Sequence, residues 1–126
     1  MTRYHQCLTI DHERIRQAGC GRENQVFTVS RAADGTFEFR ASGDKCLTAA
    51  DQRSTWVGMA ACGNISAQKI ELGPAPMLDG QPAYQLKTDT GRCLTVQGRD
   101  DSKDIAQAEC ETDNRDQHFV LDRQNS

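Results

Sequence analysis

A cysteine-led triplet written three times constrains this chain more than any other feature. Cys7-Leu8-Thr9 returns as Cys46-Leu47-Thr48 and again as Cys93-Leu94-Thr95. A second cysteine follows each copy, at Cys20, Cys62 and Cys110. Five to seven residues later comes a Gln-x-apolar step: Gln25-Val26-Phe27, Gln68-Lys69-Ile70 and Gln117-His118-Phe119. Three markers kept in one order, at a period of roughly forty residues, define an internal repeat. A unit of that size cannot bury a core alone; copies arranged about a shared axis can.

The chain has 126 residues, which fits one domain spanning 1–126. Only 37% of its residues are hydrophobic, and its aromatic side chains are one Trp, two Tyr and four Phe. A core this lean benefits from covalent help. Six cysteines in an even, repeated arrangement read as a disulfide framework. Closing a loop of about fifteen residues contributes roughly 3 kcal/mol in the chain-entropy model. Structural zinc instead favours short Cys-x-x-Cys pairs. The gaps here are twelve, fifteen and sixteen residues, so a metal ranks below both disulfides and reduced core thiols.

Disulfides imply an oxidising, secreted or extracellular setting. Met1-Thr2-Arg3-Tyr4-His5 has no apolar signal-peptide core, so a leader is expected to have been removed or to lie on a parent chain. No apolar run reaches membrane-spanning length, and no membrane insertion is expected. A net charge of −3 and a pI near 5.5 argue against nucleic acid as a partner.

Short alternating runs separated by turns dominate the chain, the pattern of an all-β barrel or sandwich. Thr36-Phe37-Glu38-Phe39-Arg40 puts both phenylalanines on one face, and Ala33-Asp34-Gly35 before it reads as a hairpin turn. All three prolines fall between Gly73 and Pro82, which reads as a longer connection because proline lacks the ladder N–H. The repeats run at about 1–30, 31–73 and 82–122, each complete one holding four short strands. Repeat one has only six residues before its first cysteine, against nine or ten in the others, so its first strand is clipped. An open edge of that kind invites pairing, and a protein partner is expected to cover it.

Cys-Leu-x, a variable loop, a second cysteine and Gln-x-aromatic, three times over from Gln6 to Leu121, resemble the ricin-type β-trefoil lectins. Thr55 to Cys62 is also similar to the cysteine-rich domains of mannose-receptor-like proteins, of the same superfamily. The resemblance implies a six-stranded barrel capped by three hairpins with pseudo-threefold symmetry. It also implies within-repeat disulfides Cys7–Cys20, Cys46–Cys62 and Cys93–Cys110.

The family's sugar-contacting residues carry over poorly. Where an aspartate usually grips sugar hydroxyls, two residues after the first cysteine, this chain has Thr9, Thr48 and Thr95. The expected aromatic platform, two residues before the second cysteine, is Ala18, Ala60 and Ala108. The polar residue before the motif glutamine is Asn24 in repeat one, Ala67 in repeat two and Asp116 in repeat three. A sugar needs hydroxyl partners and an apolar, usually aromatic, face. The candidate carbohydrate-binding residues are therefore Asn24, Gln25, Trp56, Asp116 and Gln117, with Trp56 as the alternative platform. For the three glutamines the competing role is structural: a repeated amide beside an apolar strand satisfies loop backbone groups.

Asp100-Asp101-Ser102-Lys103-Asp104 lacks the spacing of a calcium loop and reads as solvated. No His-Glu-x-x-His, Gly-x-Ser-x-Gly or phosphate-loop motif is present, so neither enzyme, metal nor cofactor is expected. The expected function is a non-enzymatic module that binds a glycan or glycoprotein, attaching a larger toxin, receptor or enzyme to it. The alternative is a trefoil that has lost sugar binding and recognises a protein as adaptor, inhibitor or assembly subunit.

Overall fold

The computed structural model describes residues 2, 6–11, 14–21, 25, 27–49, 56–63, 65–78, 80–97 and 105–120. Among them the regular structure is strand, apart from 3-10 turns at Gln25, Ser66–Gln68 and Arg115–Gln117. The strands are β1 (Gln6–Asp11), β2 (Arg14–Gly19), β3 (Thr28–Arg31), β4 (Phe37–Ala41) and β5 (Lys45–Ala49), then β6 (Val57–Ala61), β7 (Glu71–Leu78), β8 (Gln81–Lys87), β9 (Arg92–Val96) and β10 (Ile105–Glu109).

They form a six-stranded sheet in the order β1-β2-β6-β5-β4-β3 and a four-stranded sheet in the order β10-β9-β8-β7, with one main core and a smaller cluster of Leu78, Ala83 and Val120. Isolated antiparallel bridges stitch them. Phe37 pairs with Ile70, Tyr84 with Phe119, and Trp56 with Ala106, which joins the two sheets. The all-β architecture expected from the repeat, and the trefoil that the resemblance implies, is the fold observed.

Each cysteine triplet pairs with the strand before the second cysteine in one register. Cys7 faces Ala18, Cys46 faces Ala60 and Cys93 faces Ala108. The next positions pair Leu8 with Gln17, Leu47 with Met59 and Leu94 with Gln107. Successive residues point to opposite faces, so the leucines lie on the core face while cysteine and threonine lie on the opposite face, where Cys46, Cys93 and the threonines are nevertheless covered. Phe39, Leu47, Ile70, Leu86, Leu94 and Phe119 fill that core at 0–3% exposure. Fully burying a side chain of this size contributes about 1.5–3 kcal/mol.

The hairpin between β3 and β4 turns at Ala32–Thr36. Gly35 sits at φ 88°, where a side chain is disfavoured, and its N–H donates to the Ala32 carbonyl at 3.0 Å. Asp34 accepts from the Thr36 hydroxyl at 2.6 Å and from the Thr36 N–H at 3.0 Å. It also receives Lys69 Nζ at 3.0 Å, pinning the hairpin tip to the end of the same repeat.

The proline-rich segment differs from the sequence reading. Gly73 to Leu78 is not a connection but most of β7, with Pro74 opposite Tyr84 in the ladder. β7 is the edge of its sheet and carries a bulge between Ala75 and Leu78. An edge strand has one face of its backbone unpaired, so a missing N–H costs nothing there.

Disulfides join Cys7 to Cys20, Cys46 to Cys62 and Cys93 to Cys110, each with Cα atoms 5.0–5.1 Å apart. Each ties the start of a strand pair to the loop that leaves it.

Candidate functional site

The three motif glutamines form one clasp repeated three times. Gln68 is 2% exposed, and its Nε2 donates to Thr48 Oγ1 at 3.1 Å and to the Ala61 carbonyl at 2.8 Å. Its Oε1 accepts from the Gly63 N–H at 3.0 Å. Gln117 does the same with Thr95 Oγ1 (3.1 Å), the Glu109 carbonyl (2.8 Å) and the Glu111 N–H (2.8 Å). Gln25 donates to Thr9 Oγ1 at 2.9 Å and to the Gly19 carbonyl at 2.7 Å. One amide thus spans the triplet strand and the backbone beside the second cysteine.

The threonines complete the clasp. Thr9, Thr48 and Thr95 each donate to the carbonyl of the cysteine two residues earlier, at 2.8–3.0 Å, while accepting from the glutamine. They are 2–8% exposed. A hydroxyl that donates and accepts has little left for a sugar. Gln25 and Gln117 therefore act as scaffold in this structure, and Asn24 lies outside the described residues.

Two further buried glutamines escaped sequence reasoning. Gln17 and Gln107 are 0% exposed in the core face of β2 and β10. Thr2 donates to Gln17 Oε1 at 3.0 Å, and Thr88 and Thr90 donate to Gln107 Oε1 at 2.8 and 2.9 Å. Repeat two has Met59 at this place, and Ala41 stands where the others have Thr2 and Thr88, five residues before the first cysteine. Amide with hydroxyl, thioether with methyl: the signal was there as a paired exchange.

Trp56 and Asp116 are the described candidates that lie outside the clasps. Trp56 is 40% exposed and bridges Ala106, which in turn faces Thr95 across β9. Gln117 reaches that same Thr95, and Asp116 is its neighbour, half-buried in the turn Arg115–Gln117. The Asp116 N–H donates to Asn114 Oδ1 at 3.0 Å, which fixes the turn. Trp56 therefore borders β10 at Ala106, and Asp116 adjoins the clasp of Gln117 on Thr95, the cross-strand partner of Ala106; buried Gln117 itself stays within the clasp. Gln25 belongs to repeat one and is not part of this group.

The other copies lack such a face. Gly58 takes the place of Ala106 in repeat two, and exposed Arg14 stands beside it where repeat three has Trp56. Repeat one has Arg16 opposite Thr9.

The one described histidine, His118, is 3% exposed, with its Nε2 2.9 Å from the Thr112 carbonyl, a packing role. No helix among the described residues is long and apolar enough to cross a membrane.

Comparison with known proteins agrees with this fold. A family model for the ricin-type beta-trefoil lectin domain matches residues 2–119. No curated protein matches the sequence. Among solved structures, a designed 3-fold symmetric protein, ThreeFoil, is similar at a TM-score of 0.79 and 20% identity, over 98% of this chain and 96% of its own. A mosquitocidal holotoxin is similar at a TM-score of 0.82 and 10% identity; 96% of this chain matches 16% of that one. The cytolethal distending toxin of Haemophilus ducreyi is similar at 0.74 and 17% identity, over 100% of this chain and 85% of its own. At these identities the likeness is one of fold.

Proposed function

Because this chain belongs to the ricin-type β-trefoil lectin family, we propose that it is a non-enzymatic carbohydrate-binding module acting through the outward face of repeat three. The observation that carries this reading is Trp56, the single tryptophan, held half-exposed against the alanine floor of β10. An indole there offers the C–H face of a sugar ring an apolar platform. Asp116 supplies a carboxylate at the far side, while Gln117 holds Thr95 beneath. Asn24 with Gln25 would form a lesser contact in repeat one.

The chain 1–126 works as a single domain, outside the cell, where its three disulfides persist. Its similarity to chains of toxins fits a module that carries a larger assembly to a glycan or glycoprotein. No nucleic acid, membrane insertion, metal or cofactor enters this reading.

One observation favours a second reading, a trefoil that binds protein as adaptor, inhibitor or assembly subunit. The three threonines use their hydroxyls inside the clasps instead of offering an aspartate outward. A partner strand on β1 would suit it, since among the described residues β1 pairs only with β2, whereas β5 and β9 are paired on both sides.

A glycan array separates the two, read with wild type and Trp56→Ala. The carbohydrate reading expects a defined set of glycans for wild type, lost in Trp56→Ala at an unchanged melting temperature. A blank array from folded, oxidised protein sinks it and leaves the protein-binding trefoil.

A further inference from the structure

Repeats two and three serve as controls for one another, because their hairpins share one register. Thr28 and Arg40 pair across β3 and β4 as Glu71 and Lys87 pair across β7 and β8. Arg40 faces Cys46 as Lys87 faces Cys93. Two residues away, Ser30 and Glu38 correspond to Gly73 and Gln85. The two disulfides therefore lie beneath equivalent positions.

What covers them differs. In repeat two, a Glu38 carboxylate oxygen lies within 4.8 Å of the Cys46 and Cys62 sulfurs. Arg40 closes over it, with Nε 3.1 Å from Glu38 and a second contact to Asp44 at 3.4 Å. In repeat three, Gln85 is drawn aside, its Nε2 donating to the Glu111 carbonyl at 2.9 Å and to Gln117 Oε1 at 3.3 Å. Serine is replaced by glycine at 73. The result is an open cavity of about 350 Å³ lined by Glu71, Gly73, Gln85, Lys87 and the Cys93–Cys110 disulfide. Among the described residues neither Glu71 nor Lys87 has an ion-pair partner, although they face each other across the ladder.

We propose that this cavity beside the Cys93–Cys110 disulfide is a second saccharide subsite, taking one neutral sugar unit. The proposal rests on the carbohydrate reading above and adds a site distinct from the Trp56 face. The chemistry is complementary. Glu71 accepts hydrogen bonds from neighbouring hydroxyls, Lys87 donates to sugar oxygens, and Gln85 Oε1 accepts a further hydroxyl. Carboxylate and ammonium cancel, so a neutral polyol leaves no net charge uncompensated, whereas an anionic sugar would meet Glu71. The disulfide forms the non-polar floor, and the volume is of the size that holds small ligands. Trp56 lies beyond β9 and β10 from Lys87, three strand spacings or roughly 14 Å, so the Trp56 indole and the Glu71–Lys87 pair report separately, whereas Gln85 and Gln117 are hydrogen-bonded to one another and report jointly.

The test is a two-dimensional amide NMR titration of the oxidised full chain with methyl galactoside, methyl glucoside, methyl mannoside and N-acetylglucosamine. The expected result is saturable shifts for the Gln85 side-chain amide and the backbone of Glu71, Gly73, Lys87 and Cys110. Two variants probe the site. Glu71→Gln with Lys87→Met removes both charges and the ammonium donor from exposed positions and is expected to weaken that binding about tenfold or more. Gly73→Leu fills the cavity and keeps both charges; a Cβ at Gly73 meets Gln85 only at 4.0 Å, an ordinary contact. It too is expected to abolish the shifts, with those of the Trp56 indole unchanged. Shifts confined to Trp56 and Asp116, or unaffected by either variant, overturn the second subsite while sparing the carbohydrate reading. Shifts nowhere, across these sugars, overturn both. Sialic acid and free glycine are titrated in parallel, and shifts at the cavity with either of these alone overturn the neutral-sugar assignment.

Discussion

Replacing Gln68 by leucine tests whether the clasps hold the fold. The side chains are similar in size, so the change removes chemistry more than volume. Lost are the bonds to Thr48 Oγ1, the Ala61 carbonyl and the Gly63 N–H. A net neutral hydrogen bond contributes about 1 kcal/mol, so the three together give about 3 kcal/mol. Ala61 and Gly63 are exposed, and water takes over their backbone groups. Thr48 keeps its bond to the Cys46 carbonyl. No large desolvation penalty is therefore added. For a domain of this size the loss lowers the melting temperature by about 10 °C. Urea unfolding with the disulfides intact measures it, since the slope reports whether the same surface is exposed. A double-mutant cycle with Thr48→Val isolates the amide–hydroxyl bond, with a coupling of about 1 kcal/mol expected. A loss below about 1 kcal/mol at unchanged slope, or zero coupling, would refute the clasp as a source of stability. Gln117→Leu is expected to cost more, because Gln117 Oε1 also accepts from Gln85.

Three further outcomes are expected, besides the effects already given for Trp56 and for the cavity. Hydrogen bonds from the Thr36 hydroxyl, then the Thr36 N–H, then Lys69, hold the Asp34 carboxyl well below the usual carboxylate range. Its contribution is complete above the ordinary carboxylate pKa and is lost as pH falls through the lowered one. The melting-temperature gap between wild type and Asp34→Asn should be constant above about pH 4 and shrink below it; a gap unchanged to the lowest measurable pH contradicts the assignment. Replacing Cys46 and Cys62 together by serine opens a loop of sequence separation 16. A destabilisation of about 3 kcal/mol by urea titration is expected, and non-reducing peptide mapping of wild type should recover three within-repeat bridges.

The scaffold was legible because its markers are chemical and periodic. Cysteine, leucine and threonine recur where a disulfide, a core contact and a hydroxyl are each needed, and the register repeats with them. The proline segment was misread because proline reports a missing donor but not which side of a strand is paired; β7 being an edge is a tertiary fact. Trp56 could be singled out, yet nothing local says that it meets Ala106, fifty residues on and in the other sheet. The cavity was invisible for a similar reason. Glu71 and Lys87 are unremarkable charges until the register sets them over a disulfide with glycine beside them.

The clasps carry a consequence for how such a chain changes over generations. Each is closed within its own repeat and is satisfied by its own threonine and backbone. Residues on the outward face, such as Trp56, Asp116, Glu71 and Lys87, lie outside that closed set. Variation there alters what is recognised while the means of folding is inherited unchanged. One repeat can gain a ligand, and another lose one, without the two events being coupled through stability. The threefold scaffold then offers three places where selection can act.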